Sequence, residues 1–273
     1  MTVEPGERNK HLLGRPQEVD HNAWEIARAE LLVREKAHTR EGDSIAAARR
    51  RLPMVEFDGT VLVTGPNGEV PFLSLFQGRK ELIVYKHMWY DGAPHQGQCE
   101  GCTMTAWKIK DAVYLNARGV SLAFVTSGSW EEVAPYVQFM GYTQAWYSAR
   151  GLEEPVGGEM GVTACFMREG DRVFLTYKTS DRGHEPIMEA ISLLDMTPYG
   201  RGEAWEGRPE GLPVASDVAL GQTAFTVDHN PGWYWRTDVH GVANNGPTSR
   251  PAPQWTRPGV TPEDTLGRKG SHH

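Results

Sequence analysis

Cysteine is scarce in this chain, with three in 273 residues, too few for the disulfide framework of a small secreted domain. Long apolar runs are missing too. No stretch approaches the roughly eighteen consecutive apolar residues of a membrane span. Met1 to Asp20 mixes Glu, Arg, Lys and Pro without the apolar core of a signal peptide. Positive charge is not in surplus: the net charge of -7 leaves no basic face for a phosphate backbone. Arg49-Arg50-Arg51, the one basic run, reads as a solvated helix end. Several catalytic signatures are absent as well. Gly65-Pro66-Asn67-Gly68 lacks the Gly-Lys-Ser ending of a phosphate loop, and there is no Gly-x-Ser-x-Gly elbow, no His-Glu-x-x-His and no dinucleotide fingerprint. These absences argue against nucleic acid and membrane as partners, and no cofactor is expected. A composition of 39% hydrophobic and 23% charged residues remains, that of an ordinary globular protein. The expected compartment is a reducing cytoplasm, where closely spaced thiols are catalytic, redox-active or metal-binding rather than structural.

The chain is organised around residues 81–110. An apolar, strand-like segment, Leu82-Ile83-Val84-Tyr85, leads through His87-Met88-Trp89-Tyr90 into a loop, which delivers Cys99-Glu100-Gly101-Cys102 to the start of a helix. A sulfur there feels the partial positive charge and open N–H groups of the helix start. These can bring a cysteine pKa from about 8.5 into a range of roughly 3.5 to 7.5. The thiolate is the form that attacks disulfides, peroxides and metals. Cys99, nearer the loop, is then the attacking thiolate, and Cys102, one helical turn inward, resolves the mixed disulfide. Glu100 between them opposes ionisation and makes the pair more reducing. Trp89, Tyr90 and His95 are candidates for substrate contact, with His95 also placed to protonate a leaving thiolate, and Trp107 is either groove floor or core.

Two alternatives stay open at this stage. Cys99 and Cys102 are inert buried thiols in one. In the other they join His87 and His95 as four nitrogen and sulfur donors for a metal, although their spacing matches no common zinc module. Cys165, inside Val162-Thr163-Ala164-Cys165-Phe166, reads as a small core residue. Arg150 reads as a surface ion-pair residue or as a guide for an anionic substrate. His184, His229 and His240 show no ligand-like clustering.

Along the chain, Asn22 is expected to cap a helix from near Trp24, with Gly42-Asp43-Ser44 interrupting it and a second short helix from Ile45 to Arg51 stopped by Pro53. Val61 to Val63 and Val70 to Leu73 flank an Asn-Gly turn and predict a hairpin. The Leu82 strand leads to a helix over about Thr103 to Asn116, then to an apolar strand from Val120 to Val125, then to a helix from Trp130 to Met140 capped by Ser129 and closed by Gly141. A short extended piece near Ala145-Trp146-Tyr147 follows. Val162 to Met167 and Val173 to Thr179 predict a second hairpin, and His184-Glu185-Pro186 opens a last helix with Ile187, Ala190, Ile191 and Leu194 on one stripe. The order βαβα then ββα is that of thioredoxin. Beyond Asp195 the chain is rich in Pro and Trp, with Trp233-Tyr234-Trp235 and Trp255 expected in an extended segment that wraps the domain or a second subunit.

Trp24 with Leu31-Leu32, Glu35-Lys36, Thr39-Arg40 and Arg51-Leu52-Pro53-Met54-Val55, then Leu75-Phe76-Gln77-Gly78-Arg79, Leu82-Ile83-Val84-Tyr85 and Cys99-x-x-Cys102, occur in one order. Met140-Gly141-Tyr142 before Trp146, and Leu194-Asp195-Met196-Thr197-Pro198-Tyr199-Gly200-Arg201, follow. Together these landmarks resemble the bacterial domain-of-unknown-function family 899 (DUF899) over roughly residues 20–213. The resemblance implies a thioredoxin-like fold and dithiol-disulfide oxidoreductase activity. Where a thioredoxin carries a cis-proline facing its dithiol, this chain has Met160-Gly161, which the fold analogy makes candidates for substrate contact.

The expectation is therefore an α/β, thioredoxin-like domain over residues 54–197, a central mixed sheet flanked by helices. An N-terminal helical arm (1–53) precedes it and an extended Pro/Trp-rich segment (198–269) follows, with 270–273 resembling the start of a purification tag. The expected function is that of a thiol-disulfide oxidoreductase or thiol peroxidase, taking a thiol, disulfide or peroxide substrate and an unidentified reductant, and assembled as a homodimer. A metal- or small-ligand-binding protein built on the same cysteines and histidines is the alternative.

Overall fold

The computed structural model describes residues 16–93, 95, 98–109, 111–198 and 200. His229, His240, Trp233, Trp255 and nearly all of the predicted C-terminal segment lie outside the described residues, as does the tag-like end. Helix α1 (His21–Arg49) belongs to one compact unit, and the rest of the described chain, from Val55, to another.

α1 is one unbroken helix of 29 residues, capped by Asp20, whose carboxylate accepts the Ala23 N–H at 2.8 Å. Both the Asn22 cap and the break at Gly42 are corrected. A helix-interior glycine costs only about 1 kcal/mol against alanine, and the strong helix formers on either side, Arg40 and Glu41 before it and Ala46 to Ala48 after it, outweigh that. No residue of α1 is buried.

The second unit is an eight-stranded mixed sheet. In chain order it contains β1 (Val55–Phe57), β2 (Leu62–Gly65), β3 (Gly68–Pro71), β4 (Glu81–His87), helices α2 (Glu100–Lys108) and α3 (Val113–Ala117), β5 (Val120–Thr126), α4 (Trp130–Met140), β6 (Ala145–Ser148), β7 (Val162–Glu169), β8 (Arg172–Ser180) and α5 (Glu189–Leu194). The strands lie in the order β1-β8-β7-β4-β5-β6-β2-β3. β4, β5 and β6 run parallel, joined by helical crossovers, while β7 pairs antiparallel with β4 and with β8. Parallel strands linked by helices, followed by an antiparallel hairpin and a closing helix, make the fold thioredoxin-like.

The predicted hairpin forms, with Gly65 opposite Gly68. A Cβ on Gly65 would stand 2.6 Å from the Tyr147 ring, so the strand approaches that ring only with glycine there. The extended piece at Ala145 proves to be a strand that joins this hairpin to the sheet, through Thr64 opposite Ser148. β1 is a three-residue edge strand on β8, too short for period-two alternation to reveal.

Two helices depart from expectation. The span predicted as one helix from Thr103 to Asn116 is α2 and α3, separated at Ile109, because the Asp111 carboxylate accepts the Val113 N–H at 2.9 Å and offers the backbone an alternative to the helix. The last helix is a 3-10 stretch, Asp181–Ile187, followed by α5. Ser129 and Gly141 bound α4 as predicted, with Gly141 left-handed at φ 61°.

Side chains alternate across the sheet. Leu82 and Val84 of β4, with Ala123 and Val125 of β5, pack with Val63, Phe72, Leu75 and Phe76 on one face. Tyr85 of β4, with Leu122 and Phe124 of β5, packs with Val133, Tyr136, Met140 and Trp146 on the other, and this second face also holds Cys99 and Cys102. Among the described residues no helix is long and apolar enough to cross a membrane.

Candidate active site

The dithiol arises where β4 ends and α2 begins. β4 is flanked by β5 and β7, so its C-terminal end opens into the Met88–Gln98 connection rather than onto a sheet edge. Cys99 is the N-cap residue of α2 and Cys102 lies in its first turn. Both are buried, at 2% and 3% exposure, and no disulfide joins them. The Met88 N–H donates to Cys102 Sγ at 3.4 Å, and Tyr85 packs in the same buried cluster as the two sulfurs.

Burial pushes the Cys102 thiol well above its ordinary range, the adjacent Cys99 sulfur adds to this, and Tyr85 and the Met88 N–H partly offset it. The sequence expectation of a helix start that depresses thiol pKa is therefore corrected for Cys102. Its sulfur is sealed under an aromatic shell, and desolvation of the anion exceeds the pull of nearby donors.

That shell supplies a polar thread. His87, fully buried, places Nδ1 2.6 Å from the Met88 carbonyl, so Nδ1 carries the hydrogen and Nε2 accepts. Nε2 faces the Tyr136 hydroxyl at 3.5 Å, and that hydroxyl lies 2.8 Å from Thr103 Oγ1, which donates to the Cys99 carbonyl at 2.8 Å. Burial lowers the His87 pKa to about 4, against a smaller upward pull from the Met88 carbonyl. Tyr136 is raised beyond the ordinary phenol range, first by desolvation.

The other predicted residues occupy several places. Trp89, half-buried, donates from Nε1 to Glu132 at 2.8 Å and lies on Gly128, where a Cβ would fall 2.6 Å from the indole. Tyr90 is held through its backbone: the Gln98 amide accepts the Tyr90 N–H and donates to its carbonyl, each at 3.0 Å, and donates to the Ala93 carbonyl at 3.3 Å. The His95 ring centroid stands 5.1 Å from Phe139 and 5.9 Å from Tyr136, and burial lowers its pKa. Gly161, at φ 76°, donates to the Lys86 carbonyl at 2.7 Å and borders the Met88 side chain, where a Cβ would meet Sδ at 3.6 Å. Met160 is half-buried beside it. Gly161 thus adjoins Met88, whose own N–H reaches Cys102.

Among the described residues no group of three or more His, Cys, Asp or Glu is placed to hold a metal ion. His87 turns one nitrogen to the Met88 carbonyl and the other to the Tyr136 hydroxyl. Arg150 grips Asp91 with both terminal nitrogens, at 3.1 and 2.6 Å, on an exposed surface. Trp107 lines a cleft of about 200 Å³ with Gly141, Tyr142, Thr143 and Gln144. Cys165 is half-buried and paired across from Ile83.

Sequence reasoning passed over Gln98, Met88 and Lys86. Gln98 is 1% exposed, and its three loop bonds were invisible because a glutamine in a loop has no pattern of its own. Lys86 is 1% exposed in the middle of a strand; its ammonium donates to Glu154 at 3.0 Å and to the carbonyls of Pro155 and Gly157 at 3.3 and 2.6 Å. Desolvation lowers its pKa, and Glu154 counters that. A charged residue in an apolar strand was the available signal, since such a residue is buried only when paired.

The model of a family described as bacterial protein of unknown function, DUF899, matches residues 13–239. No curated protein matches the chain. Three solved structures align with about half of it: the peroxidoxin BcpB from Mycobacterium tuberculosis at 13% identity (52% of this chain, 94% of that one, TM-score 0.32); a secreted Mycobacterium tuberculosis disulfide oxidoreductase homologous to E. coli DsbE at 11% (50% and 96%, TM-score 0.29); and apo Sco1 from Thermus thermophilus at 16% (53% and 95%, TM-score 0.30).

Proposed function

This chain belongs to the DUF899 family, and from that premise we propose that it is a thiol-disulfide oxidoreductase or thiol peroxidase working through Cys99 and Cys102. One observation carries the proposal: two thiols stand at the N-cap and in the first turn of a helix that follows a central parallel strand, with a backbone N–H directed at the inner sulfur. Cys99 takes the attacking role because a sulfur at the cap lies at the positive end of the α2 dipole, which favours its anion. Cys102 takes the resolving role because burial keeps its proton in place until the second step.

With a disulfide substrate, the Cys99 thiolate attacks one sulfur, a mixed disulfide forms, and the other sulfur leaves as a thiolate. Cys102 then attacks Cys99 Sγ. The intramolecular disulfide forms, the bound group departs as a thiol, and its hydrogen balances the one lost by Cys102. With a peroxide, Cys99 becomes a sulfenic acid as the alcohol leaves, and condensation with Cys102 gives the same disulfide and water. A dithiol reductant returns both electrons. The low exposure of both sulfurs favours small substrates over a folded protein disulfide. His95 with Trp89, Tyr90, Met160 and Gly161 are the proposed substrate contacts.

The same reading places the protein in the cytoplasm, supported by its few cysteines. It takes a homodimer as the assembly, supported by the exposed Trp24, Ile26 and Val33 of α1.

Trapping tests the proposal. Cys102→Ser incubated with a disulfide substrate is expected to accumulate a mixed disulfide on Cys99 by mass spectrometry, and Cys99→Ser to form none. Capture that persists in Cys99→Ser, or a Cys99 that iodoacetamide alkylates no faster than free glutathione, overturns it.

A further inference from the structure

β4, β5 and β6 run parallel, so their C-terminal ends at His87, Thr126 and Ser148 share one end of the sheet, where the dithiol lies. β7 starts at the same end, since Val162 pairs with Lys86. The chain segments that leave or enter there are 88–98, 127–129 with the first turn of α4, and 149–161. Their charge is one-sided. No lysine or arginine occurs between Lys86 and Lys108, and Arg150 is the only one between Arg118 and Arg168. Other cations gather at the far end of the strands: Arg79 and Lys80 precede β4, Arg118 precedes β5, and the Arg168 N–H donates to the Lys80 carbonyl at 2.9 Å.

The cations that do reach the dithiol end are already matched. Arg150 is gripped by Asp91 at 2.6 Å, Lys178 lies 3.4 Å from Glu159, and the buried Lys86 ammonium donates to Glu154 at 3.0 Å. Glu131 and Glu132, in the first turn of α4, form no salt bridge among the described residues. Glu132 instead accepts the uncharged indole N–H of Trp89 at 2.8 Å, which sets a full negative charge beside a proposed substrate contact. The α4 dipole supplies only about half a positive unit against these two carboxylates. Glu100, between the cysteines in the chain, adds another.

We infer that this end of the sheet selects its substrate by charge, so that Cys99 and Cys102 act on a small amine-bearing disulfide and discriminate against a carboxylate-bearing one. This rests on the redox reading of Cys99 and Cys102 and names its substrate class. Cys99 attacks as a thiolate, forms a bond to one substrate sulfur and expels the other. Cys102 then bonds to Cys99 and releases the bound half. The substrate gains two electrons, the dithiol loses them, and the two thiol protons leave on the two released thiols. A carboxylate-bearing disulfide brings like charge to the Cys99 anion and to Glu132, and Arg150 is not free to offset it. An ammonium group is drawn to both. Such fields change association rates by about tenfold to a thousandfold, and they reach about 30 Å at 0.01 M salt but only about 3 Å at 1 M.

Three disulfides of nearly equal size separate charge from shape: cystamine (two ammonium groups), bis(2-hydroxyethyl) disulfide (uncharged) and 3,3′-dithiodipropionate (two carboxylates). The rate at which each forms the Cys99–Cys102 disulfide in the reduced full chain is followed by mass spectrometry and divided by its rate with dithiothreitol, which removes intrinsic reactivity. Cystamine is expected to exceed dithiodipropionate by about fivefold or more at about 0.01 M salt, with the uncharged disulfide between them and the gap closing at about 1 M. Glu131→Lys, at an exposed position, is expected to narrow the low-salt gap, and Arg150→Gln to widen it. A smaller gap in the parent, or one that high salt and Glu131→Lys leave in place, overturns selection by charge while the redox reading stands. A parent protein that couples Cys99 to Cys102 with none of the three overturns both.

Discussion

Burial acts in opposite directions on two neighbouring ionisable side chains, because it favours whichever form is neutral. It holds the His87 imidazole uncharged down to about pH 4 and the Cys102 thiol uncharged well above the ordinary thiol range. Unfolded, histidine gains a proton near pH 6.5, so between about 6.5 and 4 the unfolded chain binds the proton that the fold refuses, and stability falls as pH falls. Unfolded cysteine loses its proton near pH 8.5 while folded Cys102 keeps its own, so stability also falls as pH rises beyond that. Urea midpoints across pH 4 to 10 are expected to trace a plateau with two shoulders. Replacing His87 with glutamine should flatten the acid shoulder, by roughly 3 kcal/mol at its foot. Cys102→Ala should flatten part of the alkaline one. Unchanged shoulders would place these groups in water.

The connection between β4 and α2 is fastened by residues from three elements. Trp89 is tied to α4 through Glu132, Asp91 to Arg150 after β6, and Tyr90 and Ala93 to Gln98 at the foot of α2. The Asp91–Arg150 pair is exposed and contributes little to stability. Gln98 is different, because it is itself buried and its loss removes three hydrogen bonds from the half-buried backbone of Tyr90 and Ala93. Gln98→Leu is expected to cost about 1 to 3 kcal/mol in chemical denaturation and to raise the iodoacetamide rate at Cys99; an unaltered rate would mean the connection does not shield the sulfur. Gly42 in α1 offers the converse case. A Cβ there meets nothing within 4 Å, and Gly42→Ala should stabilise the helix by up to about 1 kcal/mol in thermal melts. A loss of stability would show the glycine to have a packing role.

At the scale of the molecule the sheet divides the labour between its faces. The dithiol, His87 and Tyr85 share one side, while Lys86 crosses to the other and binds the 154–157 segment. That segment leads to Gly161, whose N–H returns to the Lys86 carbonyl. One residue of β4 therefore fixes, from behind, the turn that borders Met88. Lys86→Met keeps the stem and removes three hydrogen bonds. A loss of about 1 to 3 kcal/mol is expected, with Glu154 partly rehydrated because its side chain is 42% exposed. Equal or greater stability of Lys86→Met in urea unfolding would show that desolvation of the ammonium exceeds what its partners return.

Reading the residues alone reached the thioredoxin-like order, the hairpin at Gly65 to Gly68, the α4 boundaries and the strand-to-helix position of Cys99 and Cys102, because periodicity, turn residues and short spacings are local properties. It misjudged α1, where a glycine was given more weight than its helix-forming neighbours, and the span after Thr103, where one aspartate bond parts two helices. Gln98, Lys86 and the Met88–Cys102 contact were out of its reach. Whether a thiol is exposed or sealed, and which donor faces it, depends on β4 lying between β5 and β7 with α2 folded over one face. Those contacts join residues far apart in the chain, and only the assembled sheet removes the water that would otherwise set every pKa.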